Sequence, residues 1–265
     1  MQNKHIASHY LIVIICLVMA GCFFGCASEY NLATGKEEVL LYSTEKEIKL
    51  GRSIARQIEK EYKVLNDPSV RRRVEQIGEK VAAVSDRKDI IYYFQVLDKE
   101  EPNAVSLPGG YIYLNKGLVD IATDDEIACV LAHEIVHVVA RHSMKKLQAS
   151  MGYMLVRILA AQTGSPGVGY GADAAFGQIM LGYSRQDELL ADRVGVGYAK
   201  EAGFKPEAML TFLEKLKEDR RKKPITAFSY NRTHPFTADR IKTVKQAIGQ
   251  SISFTDYINT QEEIK

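Results

Sequence analysis

The chain has 265 residues, 46% hydrophobic and 26% charged, which suffices for one sizeable core and is ordinary for a globular protein. Its 35 basic and 33 acidic residues leave a formal charge of +2, too weak a field to expect nucleic acid as a partner. No internal repeat or low-complexity tract runs through it.

Lys4 and His5 precede the apolar run LIVIICLVMAGC at residues 11–22. A basic start, a short apolar run and small residues before a cysteine predict a signal peptide over 1–21. The run is too short to span a bilayer comfortably. Met19-Ala20-Gly21-Cys22 resembles the bacterial lipoprotein box, in which cleavage leaves a lipid on the cysteine, here Cys22. An uncleaved N-terminal anchor is the alternative. Phe23, not Asp, follows Cys22, which in a Gram-negative host resembles sorting to the outer membrane, facing the periplasm. Residues 22–43 show no clear periodicity and read as a tether. The four cysteines make no disulfide framework, and Cys129, inside an apolar helical pattern, reads as a buried thiol.

The main folded unit is expected over 44–250, with a tail at 251–265. Ile48, Ile54, Ala55 and Ile58 mark one face of a helix over 44–62. Asp67-Pro68 opens a second helix to about Val84, with a Val70, Val74, Ile77, Val81 stripe. IYYFQVLD at 91–98, a Gly109-Gly110 turn and Tyr-Ile-Tyr-Leu from Tyr111 predict a small antiparallel sheet. Thr123 with Glu126 forms a capping box for a helix from Asp124 to about Ser150. TGSPGVGYG at 163–171 is a glycine-rich break, and helical patterns resume at Ala172, over 186–201, to about Asp219, and over 236–248. The fold class is therefore α+β, mostly helical, with one small sheet.

The chemistry concentrates in LAHEIVHVVARH, residues 131–142. His133 and His137 are four apart, so both imidazoles share one helical face and can reach one ion. Glu134 lies one position on and can address a water beside that ion without ligating it. This is the H-E-x-x-H pattern of zinc peptidases, in which the metal activates a water and polarises a carbonyl. The flanks are apolar, and a buried glutamate between two histidines costs several kcal/mol unless partnered. His142, nine positions after His133, lies about 180° around an unbroken helix and should face away. A catalytic zinc needs a third protein ligand. SRQDELLADRVG at 184–195 offers Glu188, with Asp187 as its rival and Asp192 one turn on to orient a ligand imidazole.

With these residues in place, the chain resembles the gluzincin metallopeptidase family of CAAX prenyl protease, HtpX and Oma type, in its soluble lipoprotein branch. The likeness covers about 45–250 and rests on PNAVSLPGGYIYLNKGL, LAHEIVHVVARHS, LGYSRQDELLADRVG and THPFTADRI, in that order. It implies a zincin-like domain in which the H-E-x-x-H helix packs against a second ligand-bearing helix. It also implies one zinc per chain on His133, His137 and Glu188, with Glu134 as catalytic base and Asp192 behind a ligand. His234, before Pro235, and Arg240 match residues thought to stand by the active site and stabilise the oxyanion. Asn103 and Ala104 match the segment along the cleft, where a strand edge holds extended substrate.

The expected function is endopeptidase cleavage of misfolded or stalled envelope proteins, with the membrane engaged through the N-terminal lipid. The alternative is a chaperone-like assembly factor with a latent or structural zinc site. Docking through C-terminal helical repeats, present in some relatives, is not expected.

Overall fold

The structure, a computed structural model, describes residues 27–31, 35–40, 42–150, 181–222, 230–234 and 238–252. The signal peptide, Cys22, Cys26, the glycine-rich break, the helical pattern from Ala172 and most of the tail lie outside the described residues.

Helix α1 (Thr44–Glu61) starts where the Ser43 side chain accepts from the Lys46 N–H, and it buries Ile54, Ala55 and Ile58. Helix α2 (Pro68–Val84) is capped by Asp67, which accepts from the Ser69 and Val70 N–H groups, with Pro68 in its first turn. Its Val74, Ile77 and Val81 enter the core, as their spacing predicts.

Two strands precede α1: β1 (Ala27–Asn31) and β2 (Lys36–Leu40) form an antiparallel hairpin in register Ala27↔Leu40. The stretch expected to be a featureless tether therefore contains paired backbone. Neither strand alternates apolar and polar residues, so periodicity carries no sign of them.

Strands β3 (Tyr93–Leu97), β4 (Ala104–Ser106) and β5 (Tyr111–Asn115) form a sheet of order β3-β5-β4. It is mixed, not antiparallel: β5 runs parallel to β3 (Tyr93↔Tyr111) and antiparallel to β4 (Ala104↔Leu114). Parallel neighbours need a long crossover, and here β4 is part of it. The β4–β5 turn passes through Gly109 at φ 73°, a left-handed conformation that glycine adopts freely.

A short helix α3 (Lys116–Ile121), not marked in the sequence, leads to α4 (Asp124–Val139). Both halves of the Thr123/Glu126 capping box are present, and every residue from Glu126 to Val139 is buried. The helix was expected to run unbroken to about Ser150. Instead it stops at Val139, Arg141 takes φ 53°, and helix resumes over 142–150. A left-handed non-glycine residue costs roughly 1–2 kcal/mol. A buried charge cluster offsets it. Arg87 pairs with Glu47 at 2.8 Å and donates to the Val138 carbonyl at 3.0 Å. Arg141 reaches Glu47 at 3.3 Å and donates to Thr44 Oγ1 at 3.0 Å.

The chain then gives α5 (Arg185–Glu201), opened by a Ser184/Asp187 capping box, α6 (Ala208–Lys222), the single turn α7 (Tyr230–Thr233) and α8 (Ala238–Ala247). Helix α4 is the central rod, packed by α2, α5, α6 and β4. It meets α5 backbone to backbone at Gly195, where a Cβ would stand 3.0 Å from His133 N and 3.2 Å from His133 Cα. No helix among the described residues is long and apolar enough to cross a membrane.

Candidate metal centre

Four elements bring their side chains to one point. Helix α4 supplies His133, Glu134 and His137, α5 supplies Glu188 and Asp192, the residue after α7 is His234, and α8 supplies Arg240. None of the seven is more than 2% exposed. His133, His137, Glu188 and His234 each present a ligand atom, all within 4.8 Å of one another.

The spacing fits zinc. Ligands about 2.0–2.1 Å from the ion at tetrahedral corners stand about 3.3 Å apart. His133 Nε2 lies 3.1 Å from His137 Nε2, 3.5 Å from Glu188 Oε2 and 3.3 Å from His234 Nδ1. His137 Nε2 lies 3.5 Å from Glu188 Oε1. The unmet polar atoms point the same way: Glu134 Oε1, Glu188 Oε2 and His234 Nε2 are buried without a properly aligned hydrogen bond. His234 Nε2 stands 3.1 Å from Glu134 Oε1, and Arg240 Nη1 stands 3.1 Å from Glu188 Oε2, in ion-pair reach but poorly aligned. Buried polar groups left this way are costly; of the three, only Glu188 Oε2 and His234 Nε2 belong to residues of the ligand group, and a cation held there would lower the cost at Glu188 Oε2.

The charges are strongly coupled. Burial pushes the Glu134 carboxyl up, but His234, His137 and His133 hold it down at about 2. Burial opposes ionisation of Glu188 too, and His234 and Arg240 overcome it, leaving its pKa well below the carboxylate range. For His234, burial lowers the pKa but Glu188 and Glu134 raise it to about 10. Burial pulls His137 down to about 4. Glu134 Oε2 accepts from Ser106 Oγ at 2.8 Å, so strand β4 fixes the glutamate from the side opposite α5.

Each ligand histidine is backed through its Nδ1. Asp192 Oδ1 stands 2.9 Å from His133 Nδ1, close but bent away from a straight hydrogen bond. Arg240 grips Asp192 with two 2.7 Å bonds, from Nε and Nη2. Behind His137 is His142. The break at Arg141 turns it inward, contrary to the expectation from an unbroken helix, and its Nδ1 lies 2.7 Å from His137 Nδ1. Burial keeps its pKa down at about 2, so its ring is neutral. Asp187, the rival to Glu188, is outside the ligand group; it stands 3.2 Å from His142 Nε2.

Tyr183 stacks on His137, with ring centroids 3.9 Å apart and planes at 16°, and its hydroxyl pairs with Ser143 at 2.7 Å. Tyr230 stacks on His234 at 4.5 Å. Asn103 Oδ1 accepts from the Ala104 N–H at 2.9 Å and from Thr233 Oγ1 at 3.3 Å, tying the start of β4 to the turn that carries His234. Ala104 opens β4, an edge strand of the sheet. The sequence does not mark Ser106, Tyr183, Tyr230 or His142 as site residues, although Ser106, His142 and Tyr183 lie inside the quoted family segments. Cys129 is buried and free of any disulfide, as its apolar surroundings predict.

An H-E-x-x-H helix completed by a glutamate from a neighbouring helix defines a gluzincin-type metallopeptidase site. A match to the peptidase family M48 spans residues 68–248, most of the chain, and the protein belongs to that family. The "Beta-barrel assembly-enhancing protease" of Escherichia coli (strain K12) is 27% identical over 218 residues, covering 77% of this chain and 44% of the relative. The "Putative beta-barrel assembly-enhancing protease" of Vibrio cholerae serotype O1 is 30% identical over 221 residues, covering 78% of this chain and 45% of the relative. The "Mitochondrial metalloendopeptidase OMA1" of Schizosaccharomyces pombe is 29% identical over 174 residues, covering 65% and 51%. The match thus takes in about half of each relative's length or less.

Proposed function

We propose that the protein is a zinc-dependent endopeptidase that cleaves misfolded or assembly-stalled envelope proteins. The observation that carries this reading is the buried donor set, its ligand atoms all within 4.8 Å of one another, with Glu134 beside it. His133, His137 and Glu188 hold the ion, one per chain. Bound zinc supplies a Lewis acid that activates water and polarises the scissile carbonyl. Glu134 takes the proton of the attacking water and returns it to the leaving amine. A catalytic zinc keeps one corner for water. His234, beside the ligand group, would offer a ring N–H to the developing oxyanion. Arg240 was expected to share that role, but its guanidinium is taken up by Asp192 and Glu188, so it holds the ligand Glu188 and the supporting Asp192 in place. Substrate lies extended along the β4 edge beside Asn103 and Ala104. A lipid on Cys22 tethers the chain to an envelope membrane, most simply the outer membrane on its periplasmic side, and the names of the bacterial relatives support that setting.

Replacing Glu134 by Gln tests this. Zinc stays bound, and cleavage of an unfolded substrate such as casein falls by about 10²–10⁴-fold. Retained proteolysis overturns the assigned mechanism. A second reading, an assembly factor with a latent or structural zinc site, is favoured by one observation: His234 fills the fourth corner. A wild-type protein that binds zinc, cleaves no unfolded substrate and still supports envelope assembly as Glu134→Gln decides for it.

A further inference from the structure

We infer that His142 is a positioning residue for the metal site, fixing the tautomer and ring angle of His137 through an imidazole–imidazole–carboxylate chain that ends at Asp187. The inference rests on the zinc reading above and concerns how one ligand is held.

The protons can be placed in only one way. His137 ligates through Nε2, the atom that faces His133 and Glu188, so its ring proton is on Nδ1. That N–H points at His142 Nδ1, 2.7 Å away, which must accept. His142 then carries its proton on Nε2, which stands 3.2 Å from Asp187 Oδ1, within ion-pair reach. The two oxygens of Asp187 divide the work. Oδ2 accepts from the Ser184 N–H at 3.2 Å and Ser184 Oγ at 2.7 Å, closing the cap of α5, and Oδ1 is left for His142. Each ring has one proton, so the chain closes without a clash of donors.

The fold makes this arrangement on purpose-built backbone. On an unbroken helix His142 would point away; the left-handed Arg141, held by Glu47 and Thr44, turns it under His137. Tyr183, stacked on the His137 ring face and 6.0 Å from the His142 ring, stops the His137 ring from swinging out of line. Partners behind a ligand histidine are worth about 10–100-fold in metal affinity.

The test compares full-length wild type with His142→Leu, which has no acceptor, and His142→Asn, whose side-chain oxygen sits near the place of Nδ1. Zinc affinity is read by competition with a chromophoric chelator, and ring ¹⁵N NMR of the zinc-loaded protein reads the tautomers. His142→Leu binds zinc about 10–100-fold more weakly, and His142→Asn recovers most of the loss. In wild type, His142 shows the Nε2–H tautomer and His137 the Nδ1–H tautomer. Folded His142→Leu with wild-type affinity overturns the inference, as does an Nδ1–H tautomer at His142. Should His142→Leu fail to fold, the wild-type tautomers and Asp187→Asn decide: Asp187→Asn weakens zinc binding in the same direction, and unchanged affinity there counts against the chain. Wild type that binds no zinc overturns the zinc reading and this inference together, whereas zinc-binding wild type with unaltered variants overturns this inference alone.

Discussion

His133 and His137 sit one turn apart on the same helix, yet they are held in opposite ways. Around His133 stands a wall of full charges: Asp192 behind its Nδ1, Glu188 at its Nε2 and Arg240 gripping both, none more than 2% exposed. Behind His137 stands a neutral imidazole, His142, and beyond it Asp187, whose side chain is 34% exposed. The charged side works only when every partner is present, because a buried charge stripped of its partner is expensive. The neutral side pays less for burial and hands its one charge to the rim of the protein. The difference teaches where each kind of damage is felt: loss of a partner on the first side unfolds the protein, and loss on the second loosens the metal.

That contrast can be broken directly. Arg240→Met leaves Asp192 and Glu188 without their cation and lowers the unfolding free energy of the metal-free protein by about 3–5 kcal/mol in urea titration. A loss below about 1 kcal/mol would show that Arg240 does not hold the carboxylates. On the neutral side, His142→Leu strands one buried N–H of His137, and the same measurement gives about 1–3 kcal/mol. The smallest effect is expected far from the metal, at the other end of α4. There Glu126 accepts from the Thr123 N–H at 2.8 Å, Thr211 Oγ1 at 2.8 Å and Lys215 Nζ at 2.7 Å. Burial raises its pKa, but Lys215, Thr123 and Thr211 bring it below the usual carboxylate value. A carboxylate with a depressed folded pKa adds stability that is complete above its unfolded pKa, about 4.3, and vanishes as pH falls through the folded value. The Tm difference between wild type and Glu126→Gln is therefore full near neutrality and closes on acidification through that range. A difference independent of pH would assign the effect to packing.

The local parts of this design are written in the sequence. The four-residue spacing of His133 and His137, the Thr123/Glu126 box and the stripe on α2 depend on near neighbours, and all three are realised as read. What escapes the sequence depends on distant ones. Arg141 looks like any helical residue; its left-handed turn is imposed by Glu47 and Arg87, from α1 and the loop after α2. His142 was read as facing away because the helix was expected to run unbroken past it. The parallel β3–β5 pair is a property of the crossover and not of either strand. His234 was marked by resemblance, but its place among the ligand atoms comes from the turn α7, which Asn103 pins from β4. Segment-level chemistry was legible, and the angles at which segments meet were not.

Gly195 gives the metal site a further property. It lies two turns along α5 from Glu188, on the same face, and there the helix rests on the backbone of His133. The clearance at that point sets how far the carboxylate stands from the two imidazoles. A methyl group would have to wedge the helices apart by a few tenths of an ångström, lengthening the span that an ion must bridge. Zinc, with its bonds of about 2.0–2.1 Å, would lose by this. A residue with no side chain thus sets how closely the two helices of the candidate site approach.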